Sequence, residues 1–453
     1  MVDEYSRWQG PRASRDELTE QGRALRHDRP RSSLGAGFRT DRDPVALLDA
    51  QNAARVRSLV PIRWGRMAQS AFTFYRGAAA LMAHDLASTP VSGIRVQACG
   101  DAHLSNFGFY ASPERELVFD LNDFDETLPA PWEWDVERLV ASLAVAARSS
   151  GFGDATAESI ARAGASGYRA AMGLLAGRST MANFHAVVKA ADLLNRATRP
   201  AAAKELTRAT RKAQQRTSET ALAKLSTVTE DGELHLVEQP PVMVRPQTWP
   251  EDVVAVPYLY GDTIGPDIRA LLSRFRPVDA AMRVVGVGSV GTRCLIELLV
   301  DASGSPLFLQ IKEATASVLE PYAGASEIAH AGERVVAGQK IMQAVSDPFL
   351  GWTSSEGRSY YVRQFRDMKG SIEVERLSAR LLGDYGRLCG QVLARAHAQS
   401  VEPALIAGYL GRGTVFDEAM GEFGLAYARQ NDLDHAALVE AIASGRIEAN
   451  TEG

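Results

Sequence analysis

The sequence predicts an α+β protein of two lobes: a mainly helical large lobe and a small lobe built on an antiparallel sheet. Three observations carry that prediction. Apolar residues recur at helical spacing through most of residues 135–226 and again over 377–444. Strand-like runs cluster between Val284 and Phe365, separated by turns that carry Gly, Ser and Pro. Two acidic motifs, Gly100-Asp101-Ala102-His103-Leu104-Ser105-Asn106 and Asn122-Asp123-Phe124-Asp125-Glu126, each follow a predicted strand, where backbone can turn and side chains can converge.

Residues 1–45 are polar and rich in Arg, Asp, Gly and Pro. They predict an N-terminal extension, spanning 1–90 as a whole, that is partly disordered and then helical. Met67, Ala71, Phe74, Ala78, Leu81 and Met82 place one helix over 67–86. Residues 94–98 alternate and form a short strand into the Gly100-Asp101 turn; residues 116–121 form another into Asn122-Asp123. Helices follow over 135–176 and 181–226. The six basic residues from Lys204 to Lys224 read as a solvated helix face, with a substrate-facing surface as the sharper alternative. Asp231-Gly232 between alternating runs predicts a hairpin, and the prolines at 240–241 and 246–250 mark loops. The catalytic-motif part of the large lobe therefore covers 91–279. The small lobe covers 280–370, with strands over 293–300, 307–312 and 360–365 and a helix over 325–344. Residues 371–453 supply helices that return to the large lobe.

A chain of 453 residues, 45% hydrophobic and 23% charged, can bury a large core. Its net charge of −5 argues against general nucleic-acid binding. Cys99, Cys294 and Cys389 lack zinc-type spacing and imply no disulfide framework, as expected in a reducing cytoplasm. No apolar run reaches the ~18 residues of a membrane span, and the first residues are polar, without a signal-peptide core. The sequence leaves the oligomeric state open.

Gly286, Gly288 and Gly291 form a Gly-x-Gly-x-x-Gly run that leads into a strand, a turn and another strand. A dinucleotide fold would instead open a helix there. The strand context suits a glycine hairpin closing over phosphates, with Ser289 at its tip. Lys312 lies in the next strand, within Leu307-Phe308-Leu309-Gln310-Ile311-Lys312. A charge in so apolar a strand needs a partner. By the kinase pattern it meets the nucleotide phosphates and pairs with a helix glutamate, for which Glu333 is the expectation and Glu327 the alternative.

Asp101, Asn106, Asp123 and Asp125 are the groups needed to hold Mg²⁺ on a nucleotide and to orient a hydroxyl for attack. The Gly100–Asn106 run resembles the catalytic loop of aminoglycoside and choline phosphotransferases, in the protein-kinase-like superfamily. Asn122–Asp125 resembles the metal-binding Asp motif that follows, and Pro131-Trp132-Glu133-Trp134-Asp135 the Asp that opens the next helix and supports the loop. The resemblance implies that Asp101 accepts or steers the acceptor proton and that Asn106 and Asp123 bind Mg²⁺, with Asp125 as a second carboxylate ligand. His103 joins the catalytic set, either by hydrogen-bonding within the loop or by touching a phosphate. Cys99 and Arg293 depart from the pattern, which commonly has a polar residue before the Gly-Asp and a small apolar residue after the glycine loop. Asp101-Ala102-His103 also matches the Asp-x-His of two-metal phosphoesterases, but the other histidines form no accompanying cluster. Over roughly residues 20–445 the chain is similar to a bacterial family catalogued as domain of unknown function twenty-two fifty-two.

In a linear kinase the glycine loop precedes the catalytic loop; here it follows. The segment Leu388 to Ala398 resembles the helix that runs straight into the catalytic loop of the antibiotic phosphotransferases. A circular permutation is therefore expected, with the old junction between about Ser400 and Val96 and a hinge at Gln364–Asp367 beside adenine. Lys312 must then come within salt-bridge or metal-bridged reach of Asp123. The expected activity is ATP- and Mg²⁺-dependent phosphoryl transfer to the hydroxyl of an unidentified small molecule. The alternatives are a nucleotide-binding pseudokinase or sensor without transfer, and nucleotidyl transfer to protein with the nucleotide turned round.

Overall fold

The computed structural model describes residues 13–450 apart from 229, 231, 246–258, 285 and 366. It is an α+β structure with five principal helices: α1 (Trp132–Ser149), α2 (Asp154–Ala176), α3 (Ala331–Met342), α4 (Ala379–His397) and α5 (Val415–Ala443). All but α3 form the helical body. α1 is buried along almost its whole length, Glu133, Asp135, Glu137 and Arg138 included, because neighbours enclose it. Trp132 at its start stacks on Tyr168 of α2, with ring centroids 5.4 Å apart and planes 7° from parallel. α2 and α4 cross in backbone contact, because a Cβ on Gly390 would strike the carbonyl of Gly164.

Glu133 is enclosed in this body. Its Oε1 accepts the Ser92 N–H at 2.7 Å and its Oε2 has no partner. Burial pushes its pKa up to about 7. The folded state therefore binds a proton that the unfolded chain gives up near 4.5, so stability falls as pH rises through that window. Glu133→Gln is expected to change little at pH ~4.5 and to add on the order of 1–3 kcal/mol at pH ~8, measured by urea unfolding.

The N-terminal region is more ordered than its composition predicts. Ser14 and Glu17 form a capping box, and the helix Arg15–Asp28 packs on Pro403–Leu410. Gly22 and Gly408 face the opposite backbone there, so the polar helix is held by close approach rather than by a broad apolar stripe. Residues 1–12 lie outside the described residues. The single helix expected over 67–86 is three: Val60–Ala68, Ala71–Gly77 and Ala79–Leu86. The first break falls at Ser70, whose hydroxyl caps the Thr73 N–H at 3.1 Å while Thr73 Oγ1 accepts the Ser70 N–H at 2.9 Å.

β1 (Arg95–Ala98) is part of the frame of the first acidic motif, and β2 (Phe107–Ala111) and β3 (Leu117–Leu121) form the hairpin between the two motifs. β4 (Leu128–Pro131) pairs antiparallel with β1 and leads into α1. β5 (Ser226–Val228) and β6 (Leu234–Leu236) form the hairpin expected near Asp231-Gly232; Asp231 itself is outside the described residues, as are 246–250.

The small sheet comprises β7 (Met243–Val244), β8 (Arg276–Arg283), β9 (Cys294–Val300), β10 (Pro306–Ala314), β11 (Gly351–Ser355) and β12 (Arg358–Gln364). Its antiparallel order is β11-β12-β10-β9-β8-β7, so it begins upstream of residue 280. Leu295, Leu299, Leu309 and Ile311 enter one core with Tyr260 and Val362. Ile296, Leu298 and Phe308 enter a second core with Leu225, Leu236 and Met243. Burial on both faces explains why these strands read as nearly continuous apolar runs. By the period of two, Lys312 shares a face with Phe308 and Gln310.

α3 packs on β11 and β12 and starts six residues later than expected, where His330 caps it. α4 ends beside β1: the Gln97 N–H donates to Ser400 Oγ at 2.8 Å. In the basic stretch, Arg208 and Lys212 both pair with Glu373, at 2.9 Å each, as a structural surface would.

Candidate functional site

The two acidic motifs meet at the foot of the small sheet. Gly100 turns the chain with φ +81°, and a Cβ there would collide with the Glu126 carbonyl, so the motifs touch at backbone level. Asp135 carries the first motif from beneath. One carboxylate oxygen accepts the Cys99 N–H at 2.6 Å, the other the Gly100 N–H at 2.9 Å, and His397 from α4 lies 3.1 Å away. Cys99 is fully buried and directs its thiol to the Asp123 carbonyl, which accounts for a small residue at this position.

Asp101 bonds to Arg138 of α1 at 2.8 Å, and Arg138 also lies over the Tyr75 ring, 4.0 Å from its centroid. Burial raises the Asp101 pKa above the usual carboxyl value even against that guanidinium. His103 sits 3.8 Å from Asp101 and is buried; burial and the nearby arginines hold it neutral. It does not line the cleft, and its Nδ1 is buried without a hydrogen-bond partner. Asn106 donates to the Asp101 carbonyl at 2.7 Å, and its own carbonyl accepts the Asn122 N–H at 2.9 Å.

Lys312 lies 3.9 Å from Asp123 and 2.6 Å from Asp125, across a separation of 187 residues in the chain for the closer pair. The reach expected of Lys312 is met. Burial alone would lower its pKa, but Asp123 and Asp125 outweigh burial and raise it. Asp125 directs one oxygen to Lys312 and the other to the Tyr361 hydroxyl at 2.7 Å, and it lines the cleft beside Asp123. One expectation needs correction. Glu333 forms no ion pair with Lys312, and the lysine's carboxylate partners are Asp125 and Asp123. The next residue of α3, Arg334, points into the site and donates to the carbonyls of Asp125, Thr127 and Thr315. One residue rotates a helix by about 100°, enough to exchange the inward side chain.

Of the glycine turn, Gly286 and Gly291 adopt φ +67° and +92°. Gly288 and Ser289 line a cleft of about 330 Å³ that also exposes Asp101, Asp123 and Asp125. The wall opposite comes from the N-terminal region. Val56 N–H donates to the Gly291 carbonyl at 2.8 Å, and Arg66 to that of Gly286 at 2.8 Å. Gln364 is not part of the cleft; its N–H is taken by Asp347. Arg363 crosses that side, bonding Gln310 at 2.9 Å and the Asn122 carbonyl at 3.3 Å.

Among the described residues no group of three or more His, Cys, Asp or Glu is placed to hold a metal. Of the expected pair, Asp123 lines the cleft and Asn106 does not, its amide nitrogen being bonded to the Asp101 carbonyl; two oxygen donors of this kind are the low count that suits a Mg²⁺ retaining waters. Arg138, Arg334 and Tyr361 were missed in the sequence. Arg138 alone had a signal there, standing one helical turn after Asp135 on the same face.

A family model described as "Uncharacterized protein conserved in bacteria (DUF2252)" matches residues 55–441. No curated protein and no solved structure matches the chain.

Proposed function

The chain belongs to that bacterial family, and we propose that it is an ATP- and Mg²⁺-dependent phosphotransferase with a kinase-like, circularly permuted two-lobe fold, acting on a small-molecule hydroxyl. The observation that carries this is the approach of Lys312 to Asp123 and Asp125 beside the glycine turn. The glycine turn joins two strands, the lysine stands on the next and a helix follows it, as in protein kinases. The contact of Ser400 with Gln97 supports the permutation, since it brings the end of α4 to the strand that enters the catalytic loop.

Mg²⁺ bound there would neutralise phosphate charge, held by Asp123 and Asn106. Lys312, held by Asp125 and Asp123 at the edge of the site, would serve the phosphates, and Gly288 and Ser289 offer backbone at the cleft. Asp101 has one oxygen fixed by Arg138, leaving the other to take the proton of an acceptor hydroxyl. The test is a thermal shift with ATP, with and without Mg²⁺, followed by turnover over an acceptor panel. Asp101→Asn is expected to keep nucleotide affinity within about threefold and to lower turnover by on the order of 10²–10⁴. Undiminished turnover removes Asp101 from the base role.

A second reading, nucleotidyl transfer with the nucleotide turned round, is favoured by one observation. The expected adenine side at Gln364 is crossed by Arg363, whereas the open cleft is walled by Ala50, Ala53 and Ala79. The mass added to the acceptor, phosphate or nucleoside monophosphate, decides between the two.

A further inference from the structure

We propose that Arg55 and Arg76 form an anion subsite beside Asp101, so that the acceptor carries a phosphate or carboxylate group near its reactive hydroxyl; this rests on the phosphotransferase reading of the same cleft. Both arginines line the cleft with Asp101, Gly288 and Ser289. Neither forms an ion pair among the described residues, and the Nε of each is buried without a hydrogen-bond partner. Arg55 spends only Nη1, on the Val290 carbonyl at 2.6 Å. Other enclosed arginines use up their donors: Arg42, Arg138 and Arg169 each hold an aspartate at 2.7–2.8 Å, and Arg63 and Arg334, which hold none, spend both Nη groups on oxygens of the protein. A guanidinium stays charged; the carboxylates around these two, chiefly Glu126, Asp125 and Glu313 for Arg55 and Asp101 for Arg76, act on them through space and form no ion pair with them, so the open donors are left for a small anion.

The pair is also held in place. Fully buried Arg63 bonds Asn52 at 2.7 Å and Gln51 at 3.1 Å, just before Arg55, and the Gly77 carbonyl at 3.3 Å, just after Arg76. The chain segments that carry the two arginines are thus tied together, and Arg55 is tied to the glycine turn through the Val290 carbonyl. Of the two possible anions, the triphosphate already has Lys312, the glycine turn and the cation at Asp123. Arg76 lines the cleft together with Asp101, the group proposed to receive the acceptor's proton. The acceptor's anion is therefore assigned to this subsite.

Calorimetric titration of the full chain with inorganic phosphate tests this, with and without saturating Mg²⁺ and a non-hydrolysable ATP analogue. The wild type is expected to bind phosphate in both conditions. Arg55→Met and Arg76→Met should each weaken it by about tenfold or more, the scale of a hydrogen bond to a charged group, whereas Arg76→Lys stays within about threefold. Nucleotide affinity should change by less than about threefold in all variants. A wild type that binds no phosphate overturns the subsite, as do methionine variants that bind it unchanged. A tenfold loss of nucleotide affinity in Arg76→Met overturns the assignment to the acceptor, because the arginine then serves the triphosphate. A wild type that binds phosphate but no nucleotide sinks the phosphotransferase reading, and the nucleotide-free titration still decides the subsite. Should a methionine variant melt early, the wild type and Arg76→Lys titrations decide.

Discussion

Asp123→Ala is expected to abolish Mg²⁺-dependent stabilisation by ATP and to lower turnover by on the order of 10³, the scale of losing a principal electrostatic contact in the transition state. At a hundredfold excess over Kd the wild type gains about 2.7 kcal/mol from a bound nucleotide, and the variant should gain almost none of the metal-dependent part. Asp125→Ala is the informative contrast. Lys312 is 2% exposed and bonded to Asp125 at 2.6 Å, so removing Asp125 leaves a buried charge with only the more distant Asp123 opposite it. That should cost the ligand-free protein about 3–5 kcal/mol, as broken buried pairs do. Asp123 is 3.9 Å from the same lysine, and its loss leaves the closer pair intact, so ligand-free Asp123→Ala should melt near the wild type. Differential scanning fluorimetry with and without Mg²⁺-ATP separates the two. If Asp123→Ala retains a full metal-dependent shift, the cation is held elsewhere and the assignment of Asp123 fails.

Asp101, Asn106, Asp123 and Lys312 were legible in the sequence for local reasons. The first three sit in turns that follow strands, and a lysine ending an apolar run calls for a counter-charge. Glu333 was not legible, because which side of α3 faces the site depends on how the helix packs on β11 and β12, and Arg334 takes the inward position. The tie of Asp125 to Tyr361 was hidden for a similar reason: Tyr361 stands opposite Lys312 in the β10–β12 register and only the folded sheet brings its hydroxyl to the carboxylate. The order of the N-terminal region was hidden because composition reports apolar content and not the close approach of Gly22 and Gly408. Arg55 and Arg76 carry no motif at all; their place in the cleft follows from how the 50–80 region folds over the glycine turn.

Asp135→Ala tests the support beneath the catalytic loop rather than the loop itself. The carboxylate is 1% exposed and accepts the N–H groups of Cys99 and Gly100, while His397 stands 3.1 Å from it. Alanine leaves the buried Cys99 N–H and the part-buried Gly100 N–H without acceptors, and each unsatisfied group costs about 1–3 kcal/mol. The summed loss of about 2–6 kcal/mol is a large part of the stability of an ordinary domain. Gly100 holds φ +81° against the Glu126 carbonyl, a turn with no slack, so freeing its N–H also frees the residue that follows, Asp101. Turnover should therefore fall by more than the lost folded fraction accounts for. Asp135→Asn keeps an acceptor oxygen in the same volume but can satisfy only one of the two N–H groups, and should recover about half of the stability loss. The measurement is urea unfolding of both variants beside turnover normalised to the folded fraction. An alanine variant with wild-type stability and turnover would mean that the loop holds its own shape, and that the buried carboxylate of α1 does not position Asp101.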